Sequence, residues 1–245
     1  MTFVLLHGLG GDRNQPLSLL GAALPEGATV LAPDVRAHGS STLLGSASDF
    51  TLDALAAEIA ITLPSGPLTV LGISMGAALA LRLARRGDLD IERLVLVRPA
   101  FTDRSLPDNL AAFPVMGALL REHGAEQAEK LFRATEYFRE LEAASPLGAA
   151  GAIAQFTAPD AAARAIRLIE IPQNAAFTGA DELALVDVPT TVIAARRDPV
   201  HPVTVAEQWA AGIPGGHLEV VPARDDGMRP YVAATRAAVV DALAR

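Results

Sequence analysis

Six short apolar runs recur along the chain, at residues 3–6, 29–32, 68–72, 94–97, 190–194 and 218–221. Each is continuous rather than alternating, the pattern of strands covered on both faces. Between them apolar residues recur at helical spacing. The clearest cases are 51–62 after Asp49, 75–86 ending at Gly87, 203–211 ending at Gly212, and 229–244. Strand and helix in alternation predict an α/β fold: a doubly wound, mostly parallel sheet of about six strands, with functional residues on loops at the strands' carboxyl ends.

The alternation stops between residues 101 and 186. No strand pattern occurs there, and short helical stretches are punctuated by Pro107, Pro114, Gly124, Pro146, Pro159 and Pro172. This predicts three segments: a core portion 1–100, a helical lid 101–186 lying over the carboxyl edge of the sheet, and a second core portion 187–245. The lid's Phe113, Met116, Leu120, Phe132, Phe138 and Phe156 supply its core, with a minority facing a pocket.

Composition narrows the function classes. With 245 residues, 51% hydrophobic and 20% charged, the chain is long and apolar enough to bury a sizeable core. Its net charge of −8 is the wrong sign for gripping nucleic acid phosphates or anionic lipid. The absence of cysteine removes disulfides, thiolate metal sites and a cysteine nucleophile. The apolar start, Met1 to Leu6, has no basic lead-in and runs directly into His7-Gly8, unlike a signal peptide. The expectation is a soluble, cytoplasmic protein that acts on a small molecule, with no nucleic acid or membrane partner. The oligomeric state is not legible.

The strongest local signal is Gly72-Ile73-Ser74-Met75-Gly76, placed directly after a strand and directly before a helix. A serine on such a strained strand-to-helix turn needs small neighbours, and the helix N-terminus beneath it stabilises developing negative charge. A glycine-flanked serine alone is common; its position between strand and helix gives this one weight.

Here the chain resembles the α/β-hydrolases, and three further motifs match that family in order. Val4-Leu5-Leu6-His7-Gly8-Leu9-Gly10 resembles its first oxyanion loop, which implies that the backbone N–H groups of Leu9 and Met75 form the oxyanion hole. Pro33-Asp34-Val35-Arg36-Ala37-His38-Gly39-Ser40-Ser41 resembles its Pro-Asp-x-Arg-Gly-His-Gly segment, with Ala37 for a glycine. Ala194-Ala195-Arg196-Arg197-Asp198 resembles the loop bearing the catalytic acid, which implies that role for Asp198. The family's usual first two strands have no counterpart before Phe3. No cofactor is implied, and a serine at the elbow argues against the family's dehalogenase and epoxide hydrolase chemistries, which use a carboxylate there.

One departure matters most. The family's general-base histidine follows the last core strand, but after residue 221 this chain reads Pro222-Ala223-Arg224-Asp225-Asp226-Gly227 and contains no histidine, so Asp226 falls where the base belongs. A serine without a base is a poor nucleophile. Of the five histidines, His7 belongs to the oxyanion loop, His38 to the loop after the second strand, His123 to a polar stretch of the lid, and His217 to the wrong end of its strand. His201 remains, three residues beyond Asp198 at the correct edge. Either it accepts the Ser74 proton, oriented by Asp198 or by Asp226 as an alternative acid, or it merely caps or packs the following helix.

Arg98, at the end of the fourth strand, can hold a substrate carboxylate or pair with Asp103 or a lid carboxylate. The Asp225-Asp226 run, with no adjacent histidine, suits a solvated or capping role better than a metal. The leading expectation is a serine hydrolase or acyl-transfer enzyme acting on a small, largely apolar ester, thioester or lactone. The alternatives are a ligand-binding pseudo-hydrolase and a cofactor-independent isomerase or lyase on the same fold.

Overall fold

The computed structural model describes residues 1–245. Six strands form one sheet in the order β2-β1-β3-β4-β5-β6, every neighbouring pair parallel. They are β1 Thr2–Leu6, β2 Thr29–Leu31, β3 Leu68–Ile73, β4 Ile91–Val97, β5 Thr190–Ala195 and β6 His217–Val221. All six predicted runs are strands, each within three residues of its expected ends.

Each run is apolar throughout because both faces are covered. Val4, Leu6, Val70, Leu94, Leu96 and Val192 enter one core cluster, while their neighbours Phe3, Leu5, Leu71, Val95, Val97 and Ile193 enter a second on the opposite face. The first cluster packs under α2 (Leu52–Thr62), α3 (Met75–Arg85) and α9 (Val203–Gly212), through residues such as Leu55, Leu79 and Trp209. The second packs under α1 (Asn14–Leu20) and α10 (Met228–Ala244), through Leu20, Tyr231 and Val239. α1 was not anticipated; only Pro16 and Leu20 of its seven residues are buried, too short an apolar stripe to stand out.

Between β4 and β5 the chain is helical: α4 Ala112–Arg133, α5 Glu136–Ala144, α6 Pro146–Thr157, α7 Ile166–Glu170 and α8 Ala180–Leu183, with short 3-10 turns. These helices have a cluster of their own, including Met116, Leu120, Phe132, Phe138 and Phe156. The sequence suggested short helices here, with a break at Gly124, and α4 is two helices that meet across a kink at that residue. Pro114 does not interrupt it, because a proline in the first turn removes an N–H that has no acceptor anyway. Gly124, at φ 71°, is a real break and kinks the helix. No helix is long and apolar enough to cross a membrane.

The elbow depends on two close backbone approaches. A Cβ on Gly72 would lie 2.1 Å from the Gly76 carbonyl oxygen, and one on Gly76 would lie 2.3 Å from that of Leu6. Both obstacles are buried backbone, one in the first turn of α3 and the other at the end of strand β1, where nothing can give way. Gly76→Ala is therefore expected to destabilise the protein by roughly 1–3 kcal/mol, seen as a fall in Tm of about 2–12 °C, despite alanine's better helix propensity. An unchanged Tm would show that the elbow can relax.

Candidate active site

Parallel order places the carboxyl ends of β3, β4 and β5 side by side, and these three ends carry the site. Ser74 follows β3 with φ 55° and ψ −112°, a strained conformation for a residue with a side chain, pinned by its N–H donating to the Val97 carbonyl at 2.9 Å. A Cβ on Gly8 would lie 3.3 Å from the Ser74 Cβ, so the loop after β1 runs directly alongside. Gln15 Oε1 accepts the Gly8 N–H at 2.7 Å and fixes that loop. Leu9 follows in it, and Met75 opens α3, where a helix's first N–H groups lack internal acceptors.

The loop after β5 brings Asp198 and His201 to Ser74. Asp198 Oδ1 accepts the backbone N–H groups of Val200 and His201 at 3.2 and 3.1 Å, which folds 198–201 into a tight turn. Asn109, from the start of the helical insert, ties the turn down by donating to the Val200 carbonyl at 2.7 Å and the Ala100 carbonyl at 2.9 Å. His201 then points inward, its Nε2 2.9 Å from Ser74 Oγ. Its Nδ1 lies 2.9 Å from Asp198 Oδ2, off the straight N–H line, because both residues share one turn.

Arg98 completes the cluster. Its guanidinium donates to Asp198 Oδ2 at 3.0 Å, both side chains under a tenth exposed, and it lies 5.7 Å from the centre of the Tyr231 ring. The expected Asp103 partner is exposed on the following loop; the adjacent strand end supplies Asp198 instead. Asp226 does not orient the histidine. It stands at the surface paired with Arg197, because the loop after β6 turns the carboxylate away from the sheet edge. Asp225 accepts from the Ser145 hydroxyl and the Leu147 N–H, so it holds the start of α6 onto the core.

Electrostatics follow from burial. Burial opposes ionisation of Asp198, but the neighbouring His201 and Arg98 outweigh it and hold the carboxyl well below the usual carboxylate range. Burial lowers the His201 pKa below 6.5, against the raising effect of Asp198 and with help from Arg98 and Arg224. His201 is thus neutral at pH 7 and able to accept a proton.

The other histidines serve the framework or the surface. His7 is buried, donating from Nδ1 to the Gly8 carbonyl at 2.9 Å and accepting the Val35 N–H on Nε2 at 3.0 Å. His38 is buried against it, with ring centroids 4.9 Å apart. His123 lies beside Glu122 on α4, and His217 pairs with Glu219 at an exposed strand end.

Ser74, Arg98, Asp198 and His201 open into a cavity of about 990 Å³ between the strand ends and the helical insert. From the insert side Phe113, Met116, Leu141 and Gln155 face it. Gln15, Asn109 and Arg224 were missed by sequence reasoning. Nothing marks the first two in one dimension, but Arg224 stands on the loop after the last strand, at the functional edge.

A family model for the alpha/beta hydrolase fold matches residues 2–225. The chain belongs to the α/β-hydrolase family. Among curated members, a pimeloyl-[acyl-carrier protein] methyl ester esterase of Aromatoleum aromaticum is 40% identical over 111 residues, covering 44% of this α/β-hydrolase and 41% of that protein, less than half its length. Among solved structures, MGS-M2, an alpha/beta hydrolase enzyme from a Medee basin deep-sea metagenome library, superposes with a TM-score of 0.77 at 16% identity, covering 100% of this chain and 89% of that one. The enol-lactonase from Burkholderia xenovorans LB400 superposes with a TM-score of 0.72 at 24% identity, over 100% and 91%.

Proposed function

We propose that this α/β-hydrolase is a serine hydrolase whose general base has moved from the loop after β6 to the loop after β5, giving the triad Ser74, His201 and Asp198. The observation that carries the reading is the 2.9 Å contact between His201 Nε2 and Ser74 Oγ. His201 takes the Ser74 proton as Oγ attacks the carbonyl carbon of the substrate. The oxyanion forms against the N–H groups of Leu9 and Met75, and its collapse expels the leaving group, which receives the proton back from His201. Water then attacks the acyl-enzyme by the same route. Asp198 stabilises the transient imidazolium, and Arg98 keeps Asp198 ionised.

The substrate is a small ester, thioester or lactone held in the cavity, with the helical insert as its lid. Ester and lactone chemistry among the relatives supports this class. The non-catalytic alternative expects a dry, packed gap between the serine and any imidazole, which the 2.9 Å contact disfavours.

A fluorophosphonate probe tests the reading. Phosphonylation of Ser74, located by mass spectrometry of the labelled peptide, is the expected result. Failure of Ser74 to react under conditions that label another serine esterase would remove the serine mechanism.

A further inference from the structure

Arg224 lies on the 3-10 turn Arg224–Asp226 after β6 and lines the same cavity as Ser74 and His201. Unlike Arg98, its guanidinium has no hydrogen-bond or ion-pair partner within 4 Å, although it is only partly exposed. Each nearby carboxylate is engaged elsewhere. Asp198 is held by Arg98, His201 and two backbone N–H groups, and both oxygens of Asp225 are taken by Ser145 and Leu147. Asp198 and Asp225 balance the charges of Arg98 and Arg224 overall, but the Arg224 guanidinium itself is left without a partner at the wall of the cavity. Burial and the neighbouring Arg98 both lower the Arg224 pKa, and the opposing pull of Asp198, Tyr231 and Asp225 offsets them only in part, with no direct contact to the guanidinium.

We propose that Arg224 is a specificity-determining residue that receives a carboxylate carried by the substrate, so that the preferred ester, thioester or lactone is a monoanion rather than a neutral molecule. A guanidinium presents two parallel N–H donors that match the two oxygens of a carboxylate. A dianionic phosphate fits less well: Arg98 is committed to Asp198, and the Asp225 carboxylate beside Arg224 opposes a second negative charge. The remainder of the cavity, with Phe113, Met116 and Leu141, suits the apolar chain that separates the carboxylate from the reacting carbonyl.

The inference rests on the serine-hydrolase reading for its substrate, though the contact itself does not require turnover. The test compares methyl hydrogen adipate with dimethyl adipate, which share a chain and differ in one charge. The native enzyme is expected to favour the half-ester in kcat/KM, and Arg224→Gln to reduce that preference about 10- to 100-fold, chiefly through KM. Arg224→Lys, which keeps the charge without the fork, is expected to restore part of it. Removing Arg224 also alters the field at His201, but that affects both esters alike, so the ratio isolates the contact. An unchanged ratio, or equal losses on both esters, would overturn the assignment.

If the native enzyme hydrolyses neither ester, the serine-hydrolase reading is the one in difficulty, and calorimetric titration of Ser74→Ala with methyl hydrogen adipate decides the inference. Binding that weakens at least tenfold on adding Arg224→Gln supports it. Binding that is absent, or indifferent to Arg224, rejects it.

Discussion

Replacing His201 by alanine is expected to lower ester hydrolysis by a factor of about 10³ or more, close to the effect of Ser74→Ala. The reason is geometric: Nε2 at 2.9 Å is the only imidazole in reach of Ser74 Oγ, and without it the hydroxyl must shed its proton to water. Because serine and base act as a unit, the double variant Ser74→Ala, His201→Ala should be no slower than either single one. The pH profile gives a second reading. The active form has neutral His201, so kcat/KM rises with pH through its pKa and is flat above it. Burial lowers that pKa from the ordinary imidazole value, so the acid limb is centred at lower pH than a free histidine would give. A near-native rate in His201→Ala, or a limb centred well above pH 7, would remove His201 from the mechanism. Asp226→His then becomes the informative variant, since it restores a histidine where the family keeps one.

Arg98→Met is expected to be the most destabilising single change at the site, by about 3–5 kcal/mol. Replacing the guanidinium by an apolar chain leaves Asp198 buried with His201, two backbone N–H groups and the more distant Arg224 to hold its charge. Denaturant unfolding should show it as a lower midpoint at unchanged m. The dependence on pH has a definite sign. The Asp198 pKa is depressed in the folded state, so its contribution is present above the unfolded value of about 4 and is lost as pH falls toward the folded value. Without Arg98 the folded pKa rises, and acid unfolding begins at higher pH. The buried neutral His201 acts in the same direction, because acid charges it more readily in the unfolded chain. Since Arg98 acts on His201 both directly and through Asp198, the variant should also shift the acid limb of kcat/KM, which a purely structural loss would leave in place. A loss of stability below 1 kcal/mol would show that Arg98 and Asp198 are not effectively paired.

The sequence by itself determined the sheet and the elbow. Residues 3–6 and 94–97 read as buried strands because covering on both faces forbids alternation, a local property that one dimension preserves. The glycines at 72 and 76 are needed for a close approach that any chain making this turn must accommodate, so they mark Ser74 without knowledge of the fold. The short list of histidines likewise reduced the candidates to His201.

Partner choice was decided by tertiary structure alone. Ser74 and His201 are 127 residues apart, as Arg98 and Asp198 are 100 apart, and each pair meets only because β3, β4 and β5 are neighbours in the sheet and end at one edge. Whether Asp198 or Asp226 stands beside His201 depended on the direction in which two loops turn. The first is folded inward by its own carboxylate accepting two backbone N–H groups, and the second is held at the surface by Arg197. Arg224 could be read as charged from the sequence, but not as unpaired. A free charge is defined by where every other carboxylate has gone, and that is a property of the packed molecule.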